Sequence, residues 1–262
     1  MQKYGLTILM GLVALAFAVP AGCAEVTNND VNLELTPSAS ETIPADNNMV
    51  NFEDEFKDQY DVQVPDPLSG YNRVMTNVND KFYFWFLKPV AQGYGLVIPE
   101  FARVAINRCY TNLSFPIRFV NNLLQLKFKR AGVEAARFGI NTTVGVLGMG
   151  DPAKSWFNLR PYREDFGQTL GNYRMGSCFH LVLPMLGPSN MRDTLGMGPD
   201  LFLNPVNYLD DKLLVAGIHL FERINYTSLH IGEYESLKRD AVDFYTFTRD
   251  AYEQKRRKEI ED

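Results

Sequence analysis

A mainly α fold is what this sequence predicts, with at most one short β-hairpin and no membrane-spanning helix in the mature chain. Three observations carry that expectation. Apolar residues recur at helical spacing in one segment after another, most of them opened by a proline or a capping aspartate or asparagine. Alternating strand patterns are scarce, the best being Phe179 to Leu183, ended by Pro184. No apolar stretch of the body is long and clean enough to span a bilayer, which takes about 20 residues.

The N-terminal segment stands apart. Lys3 supplies a small positive start, Leu6 to Val19 is an unbroken apolar run, and Pro20-Ala21-Gly22-Cys23 closes it with small residues. That run is too short to span a bilayer and reads as a secretory signal. Gly-Cys directly after it resembles a bacterial lipobox, whose cysteine is diacylated and opens the mature chain. The expected layout is a lipoprotein signal peptide over 1–22, an acylated Cys23 and acidic disordered tether over 23–64, and a folded body over 65–262. Pro20 stands where Leu or Val is usual, and cleavage after Ala18 or Ala24 by an ordinary signal peptidase is the alternative. Ala24 in place of an aspartate favours the outer membrane.

Between Ala24 and Val64 there is no glycine, and ten acidic residues face one lysine, Lys57. Such a segment buries too little apolar area to offset its ordering entropy. The total charge of −5, less the +1 of Lys3 and the −9 of this tether, leaves the body at +3. A mildly basic body on an acidic leash suits anionic lipid headgroups and is far too weakly charged to argue for nucleic acid. Cys109 and Cys178 could pair in an oxidising compartment; buried thiols are the favoured alternative.

Along the body, Asp66-Pro67 precedes Leu68, Tyr71, Val74, Met75, Val78 and Phe82 at helical spacing. Pro99 opens a segment with Phe101, Ala105, Cys109 and Leu113 on one face. Phe115-Pro116 begins another, carrying Ile117, Val120, Leu124 and Phe128. Arg130 to Ile140 is rich in alanine and glycine. Asp151-Pro152 and Asn204-Pro205 look like further helix starts, and Ser236 to Ile260 reads as one last helix, its Lys255-Arg256-Arg257-Lys258 suited to a helix C-terminus.

Three stretches fit poorly with a water-soluble bundle. Phe82-Tyr83-Phe84-Trp85-Phe86-Leu87 is apolar on every face. Leu126-Lys127-Phe128-Lys129-Arg130 interleaves cations with apolar residues, as interfacial helices do. Thr142 to Met149 is nearly all small or apolar. Core packing explains each one singly; together with a lipid anchor they point to a protein lying within a bilayer leaflet.

No catalytic constellation emerges, and the chain is expected not to be an enzyme. His180, His219 and His230 are the only histidines, without HExxH or CxxC, so neither a metal nor another cofactor is expected. Glu164-Asp165 and Asp210-Asp211 are adjacent carboxylates that project to different sides, and solvated loop is their expected role. Leu147-Gly148-Met149-Gly150 is echoed by Leu195-Gly196-Met197-Gly198, but the glycine order fits no phosphate loop and the flanks share nothing. Gly145, Gly148 and Gly150 are expected in a helix-compatible hinge, and Gly196 and Gly198 in a turn-rich loop.

At this point the residues carry a resemblance. Asp66-Pro67-Leu68-Ser69-Gly70-Tyr71-Asn72-Arg73 resembles the opening motif of the MlaA (VacJ) family of outer-membrane lipoproteins. Lys88-Pro89-Val90-Ala91, Asn141-Thr142-Thr143-Val144-Gly145 with Gly148, and Glu164-Asp165-Phe166-Gly167-Gln168-Thr169-Leu170-Gly171 resemble later ones. Leu183-Pro184, Gly187-Pro188-Ser189 and Arg192-Asp193 follow in order, as do Tyr245 and Arg249-Asp250-Ala251-Tyr252. The chain departs from the pattern at Tyr173-Arg174-Met175-Gly176-Ser177-Cys178-Phe179-His180, where the family has more glycine.

The resemblance implies a ring-shaped multi-helix body embedded in one leaflet, on the periplasmic side of the outer membrane of a Gram-negative bacterium. Its partners would be phospholipids, a trimeric porin and a periplasmic lipid-binding carrier feeding an inner-membrane ABC transport complex. Its function would be retrograde phospholipid transport: misplaced lipid leaves the outer leaflet through an amphipathic channel, maintaining lipid asymmetry. On that frame Phe82, Phe84, Trp85 and Phe86 are expected in the membrane belt. Lys127, Lys129 and Arg130 would meet headgroup phosphates; Arg174, Arg192 and Asp193 are candidates for the polar lining, with a surface salt bridge as the alternative. Gly145, Gly148 and Gly150 would border the channel. A non-transporting envelope scaffold is the second reading and a phospholipase the third.

Overall fold

The computed structural model describes residues 64–262; the expected signal peptide, Cys23 and the tether as far as residue 63 lie outside the described residues. Helix α1 (Ser69–Phe82) starts later than Asp66-Pro67 suggested. Pro67 and Leu68 form a turn, and the Asp66 carboxylate accepts from Asn72 Nδ2 at 2.9 Å and from the Tyr245 hydroxyl instead of capping the helix.

α1 runs without a break through a π-helical turn (Tyr83–Leu87) into α2 (Lys88–Val97). Pro89 accounts for the turn: it has no N–H, and its ring would press on the carbonyl four residues back. The chain widens by one residue, and the Lys88 N–H reaches back five to the Tyr83 carbonyl. The aromatic run is thereby sorted. Tyr83 and Leu87 turn inward, whereas Trp85 is 78% exposed.

α3 (Glu100–Leu113) and α4 (Phe115–Leu124) are separated at Ser114, because Pro116 cannot continue α3 but fits the first turn of α4. α5 (Phe128–Thr143) is longer than the alanine-rich core of its sequence suggested, and Phe138 stacks on Phe115 of α4 with ring centres 4.4 Å apart. Short α6 (Pro152–Ser155) and α7 (Phe166–Asn172) are capped by Asp151 and Asp165, which accept from the Lys154 and Gln168 amides. The antiparallel hairpin pairs β1 (His180–Leu183) with β2 (Gly187–Asn190), His180 facing Asn190.

α8 (Met191–Leu203) follows directly, capped by Asn190, so Gly196 and Gly198 lie in a helix and not in the expected loop. Gly196 is required there by a close crossing: a Cβ on it would stand 2.5 Å from the Gly167 nitrogen of α7. A 3-10 turn (Pro205–Tyr208) leads to α9 (Lys212–Leu229), which packs on α2 and α3. The single expected C-terminal helix is two, α10 (Glu233–Asp240) and α11 (Phe244–Glu261), broken where Asp243 caps α11. Asp243 also takes Arg73 of α1 at 2.7 Å, so the first and last helices meet.

Burial is inverted relative to a water-soluble domain. Among the described residues the largest fully buried side chains are all polar: His180, Glu134, Asn72, Asn121, Asn122, Asn190, Asn225 and Ser189. Meanwhile Leu96 is 89%, Leu213 82% and Phe101 77% exposed. Water would penalise such a skin. Among the described residues no helix is long and apolar enough to cross a membrane.

Candidate functional site

The polar interior is organised around carboxylates, among them Glu164, which was expected in a solvated loop. Glu164 is buried, and its Oε2 accepts from Gln125 Nε2 at 2.9 Å. Its Oε1 accepts from Lys127 Nζ and Arg130 Nη1, each at 3.2 Å. Lys127 and Arg130, both expected at headgroup phosphates, are therefore each paired with a protein carboxylate and remain partly exposed. Lys129, on the same turn, is exposed and keeps that option.

A second centre joins α7, α8 and α11. Asp193 accepts from Arg192 Nε at 3.0 Å, from Arg256 Nε at 2.8 Å and from the Tyr252 hydroxyl at 2.7 Å. Burial pushes the Asp193 carboxyl up, but Arg256, Arg192 and Tyr252 together outweigh it and hold the group below the usual range. Arg256 also grips Asp165 with two parallel bonds of 2.8 Å. Its guanidinium is raised above its ordinary value: burial works against the charge, and the two aspartates overcome it. So Arg192 and Asp193 form a buried ionic cluster, neither an open lining nor a surface salt bridge. Arg256 belongs to that cluster and is more than a partner for a helix dipole. Arg174 is exposed and held in left-handed backbone at φ 64°.

One turn beyond Gly196, Asp200 ties three helices together. Its carboxylate accepts the Phe166 amide of α7 at 3.0 Å and Asn121 Nδ2 of α4 at 3.0 Å. Burial, then the nearby Asp165 charge, drive this carboxyl up to about 7, against the Phe166 amide, Asn121 and Arg256. Elsewhere Glu134 takes Arg118 Nε at 2.7 Å and the Tyr162 amide at 2.8 Å. Asp151 takes Arg137 and Asn141 at 3.1 and 3.0 Å.

The glycine segment is not helical beyond Thr143. Val146 and Leu147 adopt φ 53° and 57°, Gly148 φ 90°, and the loop is pinned where the Gly148 amide meets the Asn141 carbonyl at 2.8 Å. A Cβ on Gly148 would stand 2.4 Å from Asn112 Cβ of α3. The sequence expected a helix-compatible hinge; the structure has a tightly folded loop that presents Val146, Leu147 and Met149 outward.

Of the expected belt, Trp85 and Phe86 are exposed. Phe82 is half-buried and stacks on Phe86 at 5.3 Å. Phe84 is also half-buried, flanked by Tyr83, Tyr234 and the ammonium groups of Lys88 and Lys238. Cys109 is a free thiol and does not bridge to Cys178. No group of three or more metal-ligating side chains lies together among the described residues.

Charged centres inside and apolar side chains outside define a helical protein built for contact with an apolar phase. This chain belongs to the MlaA lipoprotein family, whose model matches residues 64–259. It is 32% identical over 197 residues to the intermembrane phospholipid transport system lipoprotein MlaA of Escherichia coli, covering 72% of this chain and 76% of that one. An uncharacterised protein of Rickettsia bellii is 31% identical over 202 residues, covering 76% and 78%. A solved structure described as the structural basis for maintenance of bacterial outer membrane lipid asymmetry superposes with a TM-score of 0.65. It shares 32% identity and covers 74% of this chain and 98% of its own.

Proposed function

We propose that this chain takes phospholipid misplaced in the outer leaflet of the outer membrane and returns it towards the inner membrane. In this reading Cys23 is acylated and anchors the chain on the periplasmic side. The ring-shaped body sits in one leaflet beside a trimeric porin. Lipid passes through an amphipathic channel to a soluble periplasmic carrier, which feeds an inner-membrane ABC transport complex. The observation that carries the reading is the inverted burial. A phosphate headgroup in hydrocarbon is very costly; a polar interior lowers that cost, while an apolar skin led by Trp85 and Phe86 satisfies the surrounding lipid. Gly145, Gly148 and Gly150 border the passage, and the exposed cations Lys129 and Arg174 meet headgroup phosphates. The reading asks for no covalent chemistry and no cofactor.

The test is a strain lacking the gene. Surface-exposed phospholipid and detergent sensitivity should rise and return to normal on complementation; unchanged values would overturn the reading. A scaffold lipoprotein is separated by reconstitution, since only a transporter hands phospholipid to the carrier.

A further inference from the structure

Among the described residues, Leu126, Val146, Leu147 and Met185 combine a positive φ with an exposed apolar side chain. Each feature alone is unfavourable. Left-handed backbone brings the Cβ of an L-residue too close to the following carbonyl oxygen, and glycine or asparagine normally stands there. A large apolar side chain at a turn tip is ordinarily replaced by a polar one. Their coincidence is an observation about function, because backbone strain persists where something recovers it.

The hairpin tip shows what does so. Met185, at φ 63°, and Leu186 are 62% and 61% exposed, and the segment from Phe179 to Met191 holds one titratable side chain, the buried His180. The tip is not loose. Asn79 of α1 donates to the Leu183 carbonyl at 2.9 Å and accepts from the Met185 amide, fixing the tip against α1. Asn79 stands one turn before Tyr83, so the tip lies beside the part of α1 that carries exposed Val78 and leads into Phe86 and Trp85. Lys81, whose ammonium lies 5.9 Å from the Trp85 ring centre, sits at the same level, as a cation does where hydrocarbon meets headgroups.

We propose that the Met185–Leu186 hairpin tip is a membrane-inserting wedge that enters the acyl-chain layer and extends the aromatic belt of α1. Asn79 sets its position and the strained Met185 aims it. The proposal rests on the lipid reading above, and its test separates the two.

The chain has two tryptophans, Trp85 and Trp156. Full-length protein carrying Trp156→Phe reports the belt through Trp85. Protein carrying Trp85→Phe, Trp156→Phe and Leu186→Trp reports the tip. Both are reconstituted into phosphatidylethanolamine–phosphatidylglycerol vesicles containing brominated phosphatidylcholine. We expect both tryptophans to be quenched by bromine and shielded from aqueous iodide. Quenching of Trp85 with Leu186→Trp open to iodide would overturn the wedge and leave the lipid reading standing; iodide access at both would overturn both. Independently, Leu186→Asp should lower vesicle partitioning about tenfold, the cost of one carboxylate at a partly inserted site. Its melting temperature in detergent should stay at the native value; unchanged partitioning would count against the wedge.

Discussion

Arg256 Nε donates to Asp193 Oδ2 at 2.8 Å, joining the C-terminal helix to a residue at the start of α8. Both side chains are almost fully buried. Arg256→Met therefore leaves the Asp193 and Asp165 carboxylates without their main cation, and a broken buried pair costs about 3–5 kcal/mol. Chemical denaturation in detergent should show a loss of that size. Arg256→Lys should recover only part of it, because an ammonium cannot reproduce the parallel bonds to Asp165.

Asp200 should make stability depend on pH in the direction opposite to most acids. Its folded-state value, raised to about 7, lies above the ordinary 3.8, so the folded protein holds the proton more tightly. Its contribution is fully present below about pH 4 and is lost as pH rises through 7, a swing of a few kcal/mol in order of magnitude. The Asp193 carboxyl, held low, contributes the reverse sign at lower pH. Asp200→Asn should flatten the decline between about pH 4 and 7 in denaturation curves; an unchanged slope would show that the carboxyl does not titrate there.

Gly148 and Gly150 should respond differently to one methyl group. At Gly148 the added carbon meets Asn112 Cβ at 2.4 Å on a backbone with positive φ; at Gly150 the nearest atoms lie at ordinary contact distance, 3.5 Å. Gly148→Ala should cost about 1–3 kcal/mol and Gly150→Ala less than 1. Measured alongside, lipid transfer to the carrier should fall for Gly148→Ala and stay near native for Gly150→Ala.

Glu164→Gln removes the anion shared by Lys127 and Arg130. The fold should lose about 1–3 kcal/mol. The two released cations should also tighten binding to phosphatidylglycerol vesicles at low salt, an effect that fades as salt screens it. Co-sedimentation across a salt series measures it.

Much of the fold was legible because its cues are local. Asp151 before Pro152, Asn204 before Pro205 and Pro99 before Glu100 each marked an element start, and Pro184 marked the end of β1. The ordered motifs from Asp66 to Tyr252 carried the family. What escaped was non-local. Glu164 and Asp165 look like a solvated pair, and the cations that hold them lie far along the chain: Lys127 and Arg130 on the buried Glu164, Arg256 on the half-exposed Asp165. Gly196 reads as a loop residue until Gly167 of another helix is seen against it. The buried asparagines Asn72, Asn121 and Asn122 were invisible for a different reason: helical periodicity is read with apolar residues facing inward, and here that assumption fails.

The polar interior also bears on how the protein answers temperature. The heat capacity of unfolding rises with apolar surface newly exposed to water and falls with polar surface. A body whose deepest side chains are histidine, glutamate and asparagine, and which already turns Leu96, Leu213, Phe101 and Trp85 outward, exposes less new apolar surface when it opens. Its heat-capacity increment should be small for its length. Its stability curve should be correspondingly flat, holding nearly level on cooling where a water-soluble domain of this length would bend over.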